Sequence, residues 1–158
     1  RYSGRINLHM INVAEIHQEI RANCEPDLAV ILLRRMMIRL AEKLSASRQL
    51  DALVTGENLG QVASQTLESI NVIGKGTEML ILRPLIGFDK GEIIKRAIKI
   101  GTYETSILPF EDCCNLFVPK SPVTKPKLPI VEENEARLDI KRLISCAYSS
   151  LENETIER

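Results

Sequence analysis

The chain has 158 residues, 44% of them apolar and 27% charged, which is enough for one domain with its own core and short for two. Lysine plus arginine and aspartate plus glutamate balance at 21 each, so overall charge points to no nucleic-acid partner and any such signal has to be local. No apolar run approaches the ~20 residues that cross a bilayer, and four irregularly spaced cysteines do not make a secreted disulfide scaffold, so a reducing cytoplasm is the expected compartment.

The opening "RYSGRINLHMI" lacks an initiator methionine and enters in mid-fold, which sets the expectation of a fragment. "INLHMINV" (Ile6–Val13) predicts a strand, and Val13, Ile16, Ile20 and Cys24 then recur at helical spacing. Pro26 and Asp27 punctuate the chain before a helix over Asp27–Ser45. Its predicted apolar face is Leu33, Met37, Leu40, Ala41 and Leu44, with Arg35, Arg39, Glu42 and Lys43 directed elsewhere and Arg34 on the border. A short strand, Ala52–Thr55, stops at Gly56, and "QVASQTLESI" behind it predicts a helix with Val62, Thr66 and Ile70 on one side. Met79–Gly87 predicts a further strand, followed by a helix from Asp89, a good N-cap, to Gly101, a good C-cap.

From Thr102 to Pro129 the periodicity fails and five of the seven prolines collect, predicting a long loop. Ile140, Leu143, Ile144, Ala147 and Leu151 restore helical spacing, so the chain divides into a core over about 1–101, a proline-rich cysteine loop over about 102–130 and a C-terminal helix over about 131–154. The alternation of strands and helices predicts a Rossmann-like layered α/β domain with a mostly parallel sheet.

Ligands of open α/β sheets collect at the carboxyl ends of strands and the amino ends of the helices that follow. "VTGENLGQVASQT" is arranged that way: Gly56 allows close backbone approach, Glu57 and Asn58 offer polar groups, and Gln65 can reach back. An ordinary βα turn using Gly56 for positive φ is the equal alternative. Arg34 suits a phosphate, although a solvated helix face fits Arg34 better on its own residues. His9 and His17 have no cysteine at ligand spacing, His17 is expected at the surface or rim, and Cys24 and Cys146 are expected as small core residues. Cys113 and Cys114 stand in the polar loop beside Glu111 and Asp112, which disfavour a thiolate, so reactive and structural roles balance. Lys120, Lys125 and Lys127 follow without a counter-charge, which suits RNA phosphates or a soluble proline-rich linker equally.

Four stretches together, "ILLRRMMIRLAEKL", "ALVTGENLGQVASQTLESI", "LILRPLIGFDKGEII" and "IGTYETSILPFEDCCNLFVPKSPVTKPKL", resemble the catalytic domain of the tRNA 4-thiouridine synthases, also called thiamine-biosynthesis sulfurtransferases. The resemblance is collinear over about residues 1–130. It implies a PP-loop ATP pyrophosphatase domain of the adenine-nucleotide α-hydrolase type, using ATP and Mg2+ to adenylate a tRNA uridine before persulfide sulfur is transferred. By motif it implies nucleotide contacts at Arg34, Gly56 and Gln65, and a sulfur-handling cysteine at Cys113 with Cys114 second. The implied partners are tRNA, a cysteine desulfurase or other persulfide donor, and a second copy of the chain. The family's S-G-G-x-D-S loop is absent and "YSGR" (Tyr2–Arg5) does not replace it, so an N-terminal strand and the PP-loop are expected to be missing and the 158 residues alone to be inactive. The alternatives are another PP-loop enzyme with a different substrate and a binding-only descendant.

Overall fold

The computed structural model describes residues 4–109 and 122–157. Its elements are β1 (Arg5–Met10), α1 (Ala14–Asn23), α2 (Ala29–Arg48), β2 (Ala52–Val54), α3 (Leu67–Gly74), β3 (Leu80–Leu82), α4 (Lys90–Ile100), α5 (Tyr103–Ser106), α6 (Leu128–Glu135), α7 (Ile140–Ser149) and β4 (Glu152–Glu157). The architecture is α/β, as the alternation predicts.

Helix α2 is the centre of the packing. Ile31, Leu32, Leu33, Met36, Ile38 and Leu40 are buried against Ile16 and Ile20 of α1, Val72 and Ile73 of α3, and Val131, Leu143 and Ala147 of α6 and α7. So much of the first half of α2 is enclosed that the single apolar face predicted for it is too narrow. Met37, placed on that face, is 41% exposed, whereas Arg35, placed off it, is buried. The core also extends into α6 and α7, which the apolar side chains at positions 131, 143 and 147 make possible.

The sheet differs from expectation. β2 and β3 pair in parallel, Ala52 to Leu80 through Val54 to Leu82, and Thr55 N continues that ladder to Leu82 O at 3.0 Å. β1 does not join them. It pairs antiparallel with β4, Arg5 opposite Glu157 through Met10 opposite Glu152, so the described residues hold two two-stranded sheets rather than one mostly parallel sheet. The C-terminal helix is correspondingly two helices and a strand. Asp139 caps α7 by accepting from Arg142 N, and Ser150 ends it. The following residues then pair side chain to side chain across the ladder, with His9 Nδ1 2.6 Å from Asn153 Oδ1 and Thr155 Oγ1 donating to Asn7 Oδ1 at 3.0 Å.

The helix predicted from Gln61 begins at Thr66 instead. Thr66 is extended (φ −73°, ψ 162°), and its hydroxyl accepts from Ser69 N, the capping geometry expected of threonine. Residues Ala63–Gln65 form a 3-10 turn ahead of it. α4 follows its sequence signals closely: Asp89 and Glu92 form a reciprocal capping box and Gly101 closes the helix at φ 73°.

Candidate functional site

The strands and turns converge on a cleft of about 770 Å³ beyond the carboxyl end of β2, walled by α2, the 56–65 turn, the start of α4 and residues 122–123. Arg34, Gly56 and Gln65, far apart in sequence, all line it. Most of the remaining lining is apolar, including Val30, Ile31, Val62, Ile93 and Ile94. That combination of an apolar wall with a few convergent polar groups is the usual make-up of a small-molecule site.

Arg34 is neither free nor solvated. Its Nη2 meets Glu57 Oε1 at 2.7 Å, and Nη1 donates to the Ser64 carbonyl at 3.3 Å and the Ser64 hydroxyl at 3.2 Å. Glu57 is 3% exposed and also takes Arg83 Nε on Oε2 at 2.7 Å and the Thr55 hydroxyl at 3.1 Å. One carboxylate thus binds two arginines, from α2 and from the residue after β3. A buried carboxylate in this position requires its cations, because removing either charge from water is costly unless the pairing is close.

Gly56 does not need left-handed backbone: among the described glycines positive φ occurs at Gly60 and Gly101. A Cβ built on Gly56 meets nothing within 4 Å. The alternative of a positive-φ turn residue therefore falls away, and what glycine leaves at this position is open space on the cleft wall.

Gln65 sits in the 3-10 turn, not a helical turn further on. Its carbonyl accepts from Gly60 N at 2.9 Å, which folds the 60–65 segment onto itself. The side-chain Oε1 is buried and has no hydrogen-bond partner among the described residues, and the same is true of Asn58 Oδ1. Asn58 Nδ2 donates to the carbonyls of Leu85 and Phe88, which fixes the amide so that its oxygen is the spare atom. Two unpaired carbonyl oxygens on residues of one cleft favour a ligand carrying N–H or O–H donors.

Lys90 and Asp27 also line the cleft and were not among the predicted site residues. The signal for Lys90 was present: Asp89 caps α4 just after β3, the same strand-end, helix-start arrangement that singled out residues 56–65. Val123 N donates to Asp27 O at 3.3 Å and Thr66 Oγ1 to Thr124 O at 2.6 Å, so residues 122–124 are moored at the cleft. Cys113 and Cys114, with Glu111, Asp112 and Lys120, lie outside the described residues.

The two described cysteines are poor thiolates. Burial pushes the Cys24 thiol up. Cys146, expected in the core, is exposed on α7, and its hydrogen bond to Glu15 Oε2 at 3.0 Å raises its thiol too. His17, expected at the surface, is buried. Among the described residues no group of three or more His, Cys, Asp or Glu could hold a metal ion, and no helix is long and apolar enough to cross a membrane.

An α/β chain with an apolar cleft at the end of parallel strands, walled by the amino ends of helices, is of the class that binds a small ligand at its strand ends. The sequence pattern of the family "Thiamine biosynthesis protein (ThiI)" matches residues 1–140, and the chain belongs to that family. It is 49% identical over 151 residues to a probable tRNA sulfurtransferase of Finegoldia magna, covering 96% of this chain and 39% of that protein. It is 48% identical to another from Alkaliphilus oremlandii, covering 98% of this chain and 40% of the relative. A solved structure, described as a 4-thiouridine synthetase–RNA complex with bound ATP, superposes with a TM-score of 0.91 at 41% identity over 97% of this chain and 40% of its own. The chain therefore spans about 40% of the length of the relatives it matches.

Proposed function

We propose that this chain is the C-terminal part of the catalytic domain of an ATP-dependent tRNA sulfurtransferase, and that the cleft beyond β2 holds the nucleotide. The observation that carries this reading is the convergence of Arg34, Gly56 and Gln65 on one cleft. The likeness to a synthetase that binds ATP and RNA supports it. Arg34 and Lys90 supply positive charge for phosphates, the apolar wall suits a base, and the spare oxygens of Asn58 and Gln65 suit its amine or the ribose hydroxyls.

The reaction needs the uridine C4 oxygen made into a leaving group. Attack of that oxygen on the α-phosphorus of ATP releases pyrophosphate and leaves an adenylated uridine. The terminal sulfur of a cysteine persulfide then bonds to C4, and AMP departs with the original oxygen. A second thiol attacks the enzyme sulfur, freeing 4-thiouridine and leaving a disulfide for a thiol reductant to open. Cys113 is the proposed persulfide carrier, with Cys114 or the donor's own thiol as the second. Cys24 and Cys146 are both biased against the thiolate, which favours the loop cysteines.

Magnesium fits this cleft as an ion carried chiefly on the nucleotide's phosphates, a common mode for this metal. Both Glu57 oxygens are taken by arginines, and Asp27 is the carboxylate among the described lining residues. The proposal extends to a persulfide donor such as a cysteine desulfurase, to a sulfur-transfer role in thiamine thiazole synthesis and to self-association. Val54, Leu80 and Leu82 on the parallel sheet are 68%, 62% and 47% exposed, which supports a covering surface from elsewhere.

The test is sulfur transfer in the full-length polypeptide carrying these residues, supplied with ATP, a persulfide donor and unmodified tRNA. ATP-dependent appearance of 4-thiouridine, lost on Cys113→Ser, is expected; loss on Cys114→Ser as well assigns the second thiol to Cys114, and its retention assigns it to the donor. Thiolation independent of ATP, or none with all components present, overturns the reading.

A further inference from the structure

Glu57 is a buried charge beside this site to which the family resemblance gives no role and which the sequence pattern offers only as a polar group for a ligand. It is 3% exposed, has both carboxylate oxygens engaged and stands back from the cleft, so it is not placed to touch a ligand. We propose that Glu57 is the positioning residue for Arg34, holding that guanidinium in the one orientation that serves the cleft; this rests on the nucleotide reading above.

The geometry supports positioning over simple charge balance. The Arg34 guanidinium is gripped at two points, Nη1 by Ser64 and Nη2 by Glu57. Of the five N–H donors of an arginine, those contacts leave Nε–H and one Nη2–H without a partner among the described residues. Glu57 is itself locked, by Arg83 Nε on Oε2 at 2.7 Å and by the Thr55 hydroxyl. Arg83 in turn lines a separate cavity of about 410 Å³, with Asn71, Gly74 and Lys75 on its wall, and so anchors the carboxylate from the side away from the cleft. An arginine held at both ends loses less side-chain freedom on meeting a phosphate than one that must be ordered by it.

The two possible roles of Glu57 give opposite signs. Two arginines and one carboxylate sum to a charge of +1, so neutralising Glu57 makes the cleft more positive. If Glu57 only offset charge, Glu57→Gln would tighten binding of a polyanion, and Glu57→Asp would leave it unchanged. If Glu57 positions Arg34, both variants weaken binding. The glutamine has an N–H facing an arginine, and the aspartate is one methylene too short to span both guanidinium groups.

The experiment uses the full-length polypeptide, titrated with ATP and assayed for ATP-dependent thiolation. Glu57→Gln is expected to raise the ATP Kd about tenfold, the loss of roughly one good polar contact, and Glu57→Asp to raise it by less. KM for ATP should rise while kcat at saturating ATP holds, because a binding contact common to ground and transition states has been lost. A merely destabilised protein would lose active enzyme at unchanged KM. Arg34→Ala should weaken ATP binding to a similar extent, and the Arg34→Ala, Glu57→Gln double variant no further. Unchanged or tighter ATP binding in the Glu57 variants, with Arg34→Ala weakened, overturns the positioning role. An ATP affinity indifferent to Arg34→Ala, or a parent protein that does not bind ATP, overturns the nucleotide reading instead. Should Glu57→Gln fail to fold, the charge-retaining Glu57→Asp decides alone.

Discussion

Arg34 and Arg35 are neighbours on α2, and each reaches a buried glutamate shared with a second arginine, yet the two assemblies lie on different faces of the helix. Arg34 and Arg83 hold Glu57 behind the wall of the cleft. Arg35 and Arg39 hold Glu135, from the end of α6, where α2 packs against it. Both glutamates are nearly sealed, and the difference lies in one partner: the Arg35 side chain is 2% exposed, whereas those of Arg39, Arg34 and Arg83 are 19%, 20% and 19% exposed. The difference separates a charge cluster that ties helices together from one that presents a cation to a cavity. Helical geometry turns adjacent residues by about 100°, so one pair of arginines serves two faces of the helix.

The largest effect should come from the sealed cluster. Glu135 accepts from Arg35 Nε at 2.8 Å and Nη2 at 2.9 Å, and from Arg39 Nη1 at 2.6 Å and Nη2 at 2.9 Å. Arg35 also donates to the Val72 carbonyl, tying α3 into the same knot. Glu135→Ala strands Arg35 without water or a counter-charge, and breaking such a buried pair from one side costs about 3–5 kcal/mol. Glu57→Gln frees arginines that can turn toward a cavity, so its loss should be nearer 1–3 kcal/mol. Urea midpoints of the two variants check the order, and a larger loss for Glu57→Gln would erase the distinction.

Acid should reveal the same cluster. Burial pushes the Glu135 carboxyl up, but hydrogen bonds and charge from Arg39 and Arg35 outweigh it and hold it below its ordinary value. A depressed carboxylate contributes stability that is fully present above the unfolded value, about pH 4.3. That contribution is lost as pH falls through the lower folded value. Stability of the parent protein should therefore decline through that acid window, and Glu135→Gln should decline less steeply there. Equal slopes would mean that other carboxylates carry the acid transition.

How much of this could be read from residue order follows from what periodicity can see. α2, α4 and the β2 turn were legible because their signals are local: apolar spacing, an Asp89 cap, a glycine at a strand end. The burial of Arg35 was not. An amphipathic pattern assigns every arginine to the polar face, and the carboxylate that makes Arg35's burial tolerable lies 100 residues away. β4 escaped for a similar reason. "ENETIE" is half glutamate, which is depleted in strands, and its strand form depends on pairing with β1, where Ile6 faces Ile156 and His9 faces Asn153 from the far end of the chain. For Arg34 the residues alone favour a solvated helix face; its place at a site enters only with the resemblance, and its pairing with Glu57, 23 residues on, is not readable from spacing.

The smallest expected effect on stability is also the sharpest test of the cleft. Gly56 has ordinary backbone and open space where a side chain would stand. Gly56→Ala removes no contact in the folded protein and restricts the unfolded chain, so stability should hold or rise by about 0.4–1 kcal/mol. The added methyl would nevertheless project from a residue that lines the cleft. Bound nucleotide would meet it, and ATP affinity should fall while thermal unfolding without ATP does not. Contrasted with Glu135→Ala, which should destabilise the protein without touching the cleft, the pair separates fold from function in both directions. ATP binding unaffected by Gly56→Ala would leave the glycine as a feature of the turn and move the nucleotide away from this wall, toward Lys90 and the start of α4.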